Sequence, residues 1–490
     1  MSSNERYLPV LNAPMVVSKE MQKYFNFYNN LEIEIKSNGL EAAFSEAYMR
    51  KKKANLEAYL ISKDKEPLVS AKKLEAFLFE GEKAFRINLV QQVENVSYRG
   101  LHRLLSSNIF LQNFCLLTNI NKIVIPGKSL LQKYSTFLSE EELSTIFTKG
   151  VQNLFVDSSS KPGDLYADTT CIGANMHYPI DWLFILDGVR TMLNAVTLIR
   201  NTGLKNRMEC PDNFLTKMNK LSIEMSGATR TKDAKRKRKN ALRKMKKLEK
   251  SVREHAQKHL DLFVCFWEKT EYKENQARQI IHRLFTIIEK MPTIIWQAHE
   301  RIIGERLVKN EAKILSLYQD DVHVLVRKKI GAQREFGNQL LIVEQADGFI
   351  VDYKFNKEIV EHDSKMVPGI IKRFNENLPN ETLESLCGDR GFSSPMNSII
   401  LAKNNIFNAI CPKSIPEMIE RLKEEKFRTK IKRRGPNEGR IAIFKSKFSN
   451  TALRSKGYSN RHKAILWGLI SHNLFVQINA LATQELQQAA

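Results

Sequence analysis

Two groups of strand-like segments, held apart by a long helical stretch, decide what this chain can fold into. Short runs rich in β-formers occur at NLFVD (153–157) and DLYADTT (164–170). Such runs resume only at VHVLVRKK (322–329) and at QLLIVEQ and FIVDYKF, which flank Ala346-Asp347-Gly348 and predict an antiparallel hairpin. From Trp182 to about Tyr318 the apolar spacing is helical. Downstream, a helix at PGIIKRFNENL, a short strand leading to Asp389, a helix from Pro395 to Lys403, a strand at NAICPKS and a helix at IPEMIERLKEEKF alternate. This order predicts an α/β domain with a mixed sheet and a large helical insertion over 182–318.

The N-terminal part carries no strand signal. Residues 19–95 read as helices, broken at Asn38-Gly39 and at KDKEP, and residues 96–150 as three short helices around Ile125-Pro126-Gly127-Lys128-Ser129, with Ser129 as a helix cap. At 490 residues, 42% of them hydrophobic, the chain has material for two or three domains and a large core. A net charge of +23 implies an acidic polymer as partner, most simply nucleic acid, with an anionic membrane surface as the weaker reading. Six scattered cysteines without ligand spacing predict reduced thiols in a cytoplasm and no zinc, and Cys387 reads as a small buried residue. Residues 1–18 lack the basic start and apolar run of a signal peptide. The segment 464–483 reaches membrane-spanning length, but His472, Asn473, Gln477 and Asn479 interrupt it, which predicts a buried helix and no membrane partner.

The chemistry concentrates in RRGPNEGRIAIFKSK (433–447). Gly435 and Pro436 are expected to end an extended segment and start a helix whose core stripe is Ile441, Phe444 and Phe448. Glu438 then falls in the first turn, with Lys445 on about the same face roughly 10 Å along the axis. A carboxylate among cations suits a place where a metal ion meets a phosphate backbone, and equally an ordinary surface ion pair.

Arg434, Glu438 and Lys445 fall on the spacing Tyr-x2-Arg-x3-Glu-x6-Lys, which resembles the signature of bacterial insertion-sequence DDE transposases, with Ile431 in the Tyr position. YADTTCIGANMHYPID (166–181) and CGDRGFSS (387–394) resemble the blocks around that family's two catalytic Asp residues, here Asp168 and Asp389. REFGNQLLIVEQADGFI and HNLFVQINAL resemble its strand pair and its closing helix. The resemblance implies an RNase H-like catalytic domain over 151–485, an all-helical region over 1–95 and a helix-turn-helix-like DNA-binding domain over 96–150, for which a plain three-helix bundle is the alternative. It implies Asp168, Asp389 and Glu438 as catalytic residues holding two Mg²⁺, which Mn²⁺ can replace, and Arg434, Lys445 and Arg390 as phosphate contacts. The implied partners are the element's terminal inverted repeats and target DNA, bound by a homodimer at the nucleoid. The implied reaction is strand cleavage followed by joining of the 3′-OH. A stand-alone nuclease and an inactive, repurposed DNA-binding protein are the rivals.

Three converging carboxylates repel one another unless divalent cations neutralise them, so such a cluster makes sense chiefly as a metal site. Asp157, Asp164, Asp181, Asp187, Asp347 and Glu384 compete for these roles, but Asp181 and Asp187 suit a helix start and Asp347 a turn. Thr169 and Thr170 are expected to orient Asp168, His177 to be structural or a DNA contact, and Trp182 and Trp467 to be core. Finally, residues 229–259 are basic on nearly every exposed position around a seam of Leu242, Met245, Leu248 and Val252. Lys235, Arg236, Lys237, Arg238 and Lys239 are therefore expected on the DNA backbone, the alternative being a solvated face.

Overall fold

Strand segments from both sides of the helical stretch meet in one sheet. The computed structural model describes residues 18–119, 122–156, 163–227, 233–309, 312–329, 332–358, 360–449 and 454–488, without the side chains of 156, 327–329, 332–333, 437–438 and 481–488. They form two compact units, 1–175 with 325–490, and 176–324.

The first unit opens with helices α1 (Lys19–Ser37), α2 (Leu40–Ile61), α3 (Ala71–Val93), α4 (Tyr98–Ser107) and α5 (Ile109–Phe114). A two-stranded ribbon follows, β1 (Thr118–Asn119) and β2 (Lys122–Ile123), then α6 (Lys128–Thr136) and α7 (Glu140–Val156). Two local expectations fail here. The residue that caps α6 is Gly127, and Ser129 lies inside the helix. NLFV ends α7 instead of forming a strand, because the acidic first turn Glu140–Glu142 starts a helix whose apolar face docks on the core; Asp157 lies outside the described residues.

The sheet is built around β3 (Asp164–Gly173). It pairs antiparallel with β5 (Ala332–Gln345) and parallel with β7 (Ser385–Gly388), which pairs parallel with β8 (Phe407–Ile410). On the far side of β5 lie β4 (His323–Lys329) and β6 (Ile350–Phe355), the second closing the expected hairpin at Gly348, whose φ of +100° a side chain would strain. Helices α12 (Val367–Asn377) and α13 (Pro395–Lys403) connect the later strands. The stretch expected as one helix over 415–427 is two, α14 (Ile415–Arg421) and α15 (Glu425–Ile443), because the chain turns at Leu422–Glu424.

The last helix, α16 (Tyr458–Gln488), is the buried helix expected at 464–483. Its polar residues hook the β5–β6 hairpin: Asn473 accepts from Ile350 N (2.9 Å) and donates to Ile350 O (2.9 Å), and His472 donates to Gly348 O (3.1 Å). Burial holds the His472 imidazole down at about 4, so it stays neutral. Trp467 is buried and donates to Ser135 O (3.2 Å). Residues of α1–α7, the sheet and α16 share one continuous apolar core.

The second unit is four helices, α8 (Asp181–Asn201), α9 (Pro211–Gly227), α10 (Ala234–Phe266) and α11 (Glu274–Ile302), around a core of its own. Leu242, Met245 and Val252 are buried in it, with Leu248 partly so. Among the described residues one helix, α8, is long and apolar enough to cross a membrane, and over half of that window is buried in the unit's core.

Candidate active site

Side chains alternate along β3, so Tyr166, Asp168 and Thr170 leave one face. Parallel pairing puts Tyr166 against Cys387 and Ala167 against Gly388, where the ladder ends; Asp168 continues β3, and Asp389 follows the last residue of β7 as the cap of the next turn. The two aspartates therefore each come one residue after the last paired position of β3 and β7. Both are half-buried. Asp168 Oδ1 accepts from Thr169 N (2.7 Å), and Asp389 Oδ1 accepts from Gly391 N (2.8 Å), which starts a 3-10 turn over Arg390–Phe392.

The helix α15 crosses this same face. Lys430 is salt-bridged to Asp164 at the start of β3, and Ile431 packs with Tyr166 and Cys387. Arg434 Nη1 lies 3.8 Å from the Cys411 Sγ, at the level where β8 passes Asp389. Beyond, Arg440 donates to Glu344 Oε1 (2.6 Å) on β5. Glu438 follows Arg434 by one helical turn, so its backbone continues that line; its side chain lies outside the described residues.

Three sequence expectations change at α15. Gly435 and Pro436 do not start it but sit inside it, and Glu438 is well past its first turn. A proline removes one backbone hydrogen bond, here to the carbonyl of Lys432, and Lys432 and Pro436 are both exposed, so that carbonyl is open to solvent. The ties at Asp164 and Glu344 hold the two halves in line. Lys445 lies in a π-turn over Phe444–Phe448, whose wider turn rotates it relative to an α-helix, so seven residues do not close two turns there. It is half-buried, and Arg390 is exposed.

One carboxylate escaped the sequence. Asp363 opens a 3-10 turn before α12, and its Oδ1 accepts from Thr169 Oγ1 (3.0 Å) and Gln339 Nε2 (3.3 Å). A methyl group at Gly391 would come within 2.7 Å of Asp363 Oδ2 and 2.9 Å of Asp389 Oδ1, so these carboxylates face each other across a bare α-carbon. The buried Asn397 ties the two turns, donating to Ser364 O (2.8 Å) and Phe392 O (2.7 Å). In the sequence Asp363 reads as a helix-start acid, and nothing local links it to Thr169.

Four of the competing acids have structural partners, and Glu384 is exposed. Asp164 also accepts from Ser385 Oγ (2.6 Å); Asp181 is buried against Gln297 and Arg301; Asp187 pairs with His177 (3.0 Å) and Arg190. Asp347 sits in the hairpin turn as expected, 3.9 Å from Arg433. The six thiols are free, with Cys210 and Cys265 exposed and the others buried.

The basic run also differs from expectation. Lys235 and Lys239 pair with Glu305 (2.8 and 2.7 Å) and Arg236 with Asp233 (3.6 Å), so acids do balance part of it. Those two lysines hold the Glu305 carboxyl down at about 2. Lys237 is exposed and Arg238 half-buried.

Among the described residues no three Asp, Glu, His or Cys side chains form a set able to hold a metal ion. No protein-family model, curated protein or solved structure matches the chain.

Proposed function

We propose that the chain is a DDE transposase with an RNase H-like catalytic domain, which cleaves the ends of a DNA element and joins the 3′-OH to target DNA. The observation that carries this is the register: Asp168 and Asp389 each come directly after the last paired residues of two adjacent parallel strands, Ala167 and Gly388, on the side crossed by the helix that bears Glu438. A strand followed by a large insertion, a hairpin antiparallel to it and then parallel strands with intervening helices supports the fold reading.

Asp168, Asp389 and Glu438 would hold Mg²⁺, and the donor set suits it: Mg²⁺ prefers oxygen ligands, and the two described carboxylates each have one oxygen held by a backbone N–H. Bound Mg²⁺ supplies charge compensation at the leaving oxygen and activation of the attacking one. The chain's own part is positioning. The ties of Lys430 and Arg440 fix α15 over the strand face, and the backbone bonds orient the aspartates before substrate arrives. Arg434, Arg390 and Lys445 would hold phosphates of the DNA end, Arg by two parallel hydrogen bonds and Lys as a point charge. Helices α4–α6 would read the terminal repeats, with two copies of the chain acting on two ends.

Incubating the protein with DNA ends and Mg²⁺ tests the proposal. Joined products support it; cuts without joining indicate a nuclease; shifted but intact DNA indicates a binder.

A further inference from the structure

Five consecutive residues on an α-helix span more than a full turn, so Lys235 to Lys239 cannot all face one partner. On α10 the buried seam runs through Leu242, Met245, Glu249, Val252 and Ala256. At 100° per residue, the line opposite this seam passes through Arg236, Arg243 and Lys247, flanked by Lys244 and Lys250. All five are exposed. Lys235 and Lys239 lie to the side of that line, where Glu305 neutralises them.

The outward line is uncompensated over most of its length. Arg236 has Asp233 at 3.6 Å and Arg243 donates to the neutral Asn240 (2.8 Å), while Lys244, Lys247 and Lys250 have no acidic partner among the described residues. Like charges three and four residues apart on a helix repel, and among the described residues no ion pair to Lys244, Lys247 or Lys250 offsets this. From Arg236 to Lys250 the row is roughly 21 Å long. Duplex DNA offers one negative charge per about 1.7 Å of axis, enough to meet every cation in such a row.

The composition of the row selects among polyanions. Single-strand binding relies on aromatic side chains for base stacking, and the row has none. A membrane-lying helix presents apolar residues beside its cations, whereas the apolar face of α10 is spent on α8, α9 and α11.

We infer that Arg236, Arg243, Lys244, Lys247 and Lys250 form a docking surface for the sugar-phosphate backbone of double-stranded DNA of any sequence. The inference rests on the transposase reading only in preferring DNA to other polyanions, and it assigns this surface to target or flanking duplex, not to end recognition.

The test is binding of the full chain to a labelled 30-bp duplex of arbitrary sequence across a salt series. Three cations removed in Lys244→Gln/Lys247→Gln/Lys250→Gln are expected to lower the slope of log K against log salt by about 2.7. Lys235→Gln/Lys239→Gln, already paired with Glu305, is expected to lower it by less than about 1. An unchanged slope in the triple variant with an unchanged melting temperature overturns the inference. So does an equal loss in the double variant, or binding to phosphatidylserine vesicles without binding to the duplex. If end cleavage and joining fail while the triple variant still flattens the slope, the transposase reading falls and this surface stands.

Discussion

Replacing Glu344 by Gln should remove a pH dependence that the wild-type fold cannot avoid. Glu344 is 2% exposed and accepts from Arg440 at 2.6 Å. Burial pushes its carboxyl up to about 7, against the pull of Arg440 and Arg433. In the unfolded chain the same group titrates near 4.5. The folded state therefore binds the proton more tightly, so the contribution is fully favourable below about 4.5 and is lost as pH rises through 7. At about 1.36 kcal/mol per pH unit, the loss is roughly 3.4 kcal/mol. Glutamine keeps the shape and the acceptor for Arg440 but does not titrate. The assay is urea unfolding of both proteins from pH 4.5 to 8, followed by circular dichroism. Taking the difference between the two cancels the other titrating groups. Wild type should lose about 3 kcal/mol relative to Glu344→Gln across that window. A flat difference would refute the argument, since it would mean that the Glu344–Arg440 pair stays charged without cost. The pair matters because it fixes the second half of α15, next to Glu438, over the strands.

Other substitutions test the site itself. Asp389→Ala should abolish strand joining while leaving DNA binding at low salt intact; a ten-thousand-fold loss corresponds to about 5.5 kcal/mol of barrier. Asp363→Ala and Thr169→Val should each weaken Mn²⁺ binding measured by calorimetry, and the double variant should do no worse than Asp363→Ala alone, because that change already removes the bond to Thr169. Additive losses would place the two residues in separate roles. Gly468→Ala should cost about 1–3 kcal/mol in urea unfolding, since the new Cβ would lie 2.7 Å from the Phe448 carbonyl oxygen and backbone must give way. An unchanged midpoint would show that α16 does not clamp the π-turn after Glu438.

Local pattern made much of the architecture legible. Period-two runs located the β5–β6 hairpin and the strands leading to Asp168 and Asp389, and helical spacing located α13 and the seam of α10. Each is a property of neighbouring residues, and burial of one face is enough to produce it. Where a local signal misled, packing outweighed it. Pro436 reads as a helix start, yet α15 runs through it because Asp164 and Glu344 anchor both halves. Other features belong to tertiary structure alone. The register that pairs Ala167 with Gly388, just before Asp168 and Asp389, the bond from Thr169 to Asp363 and the pairing of Lys235 and Lys239 with Glu305 join residues distant in sequence. Such contacts depend on how strands and helices align once the core has closed, and sequence periodicity carries no record of that alignment.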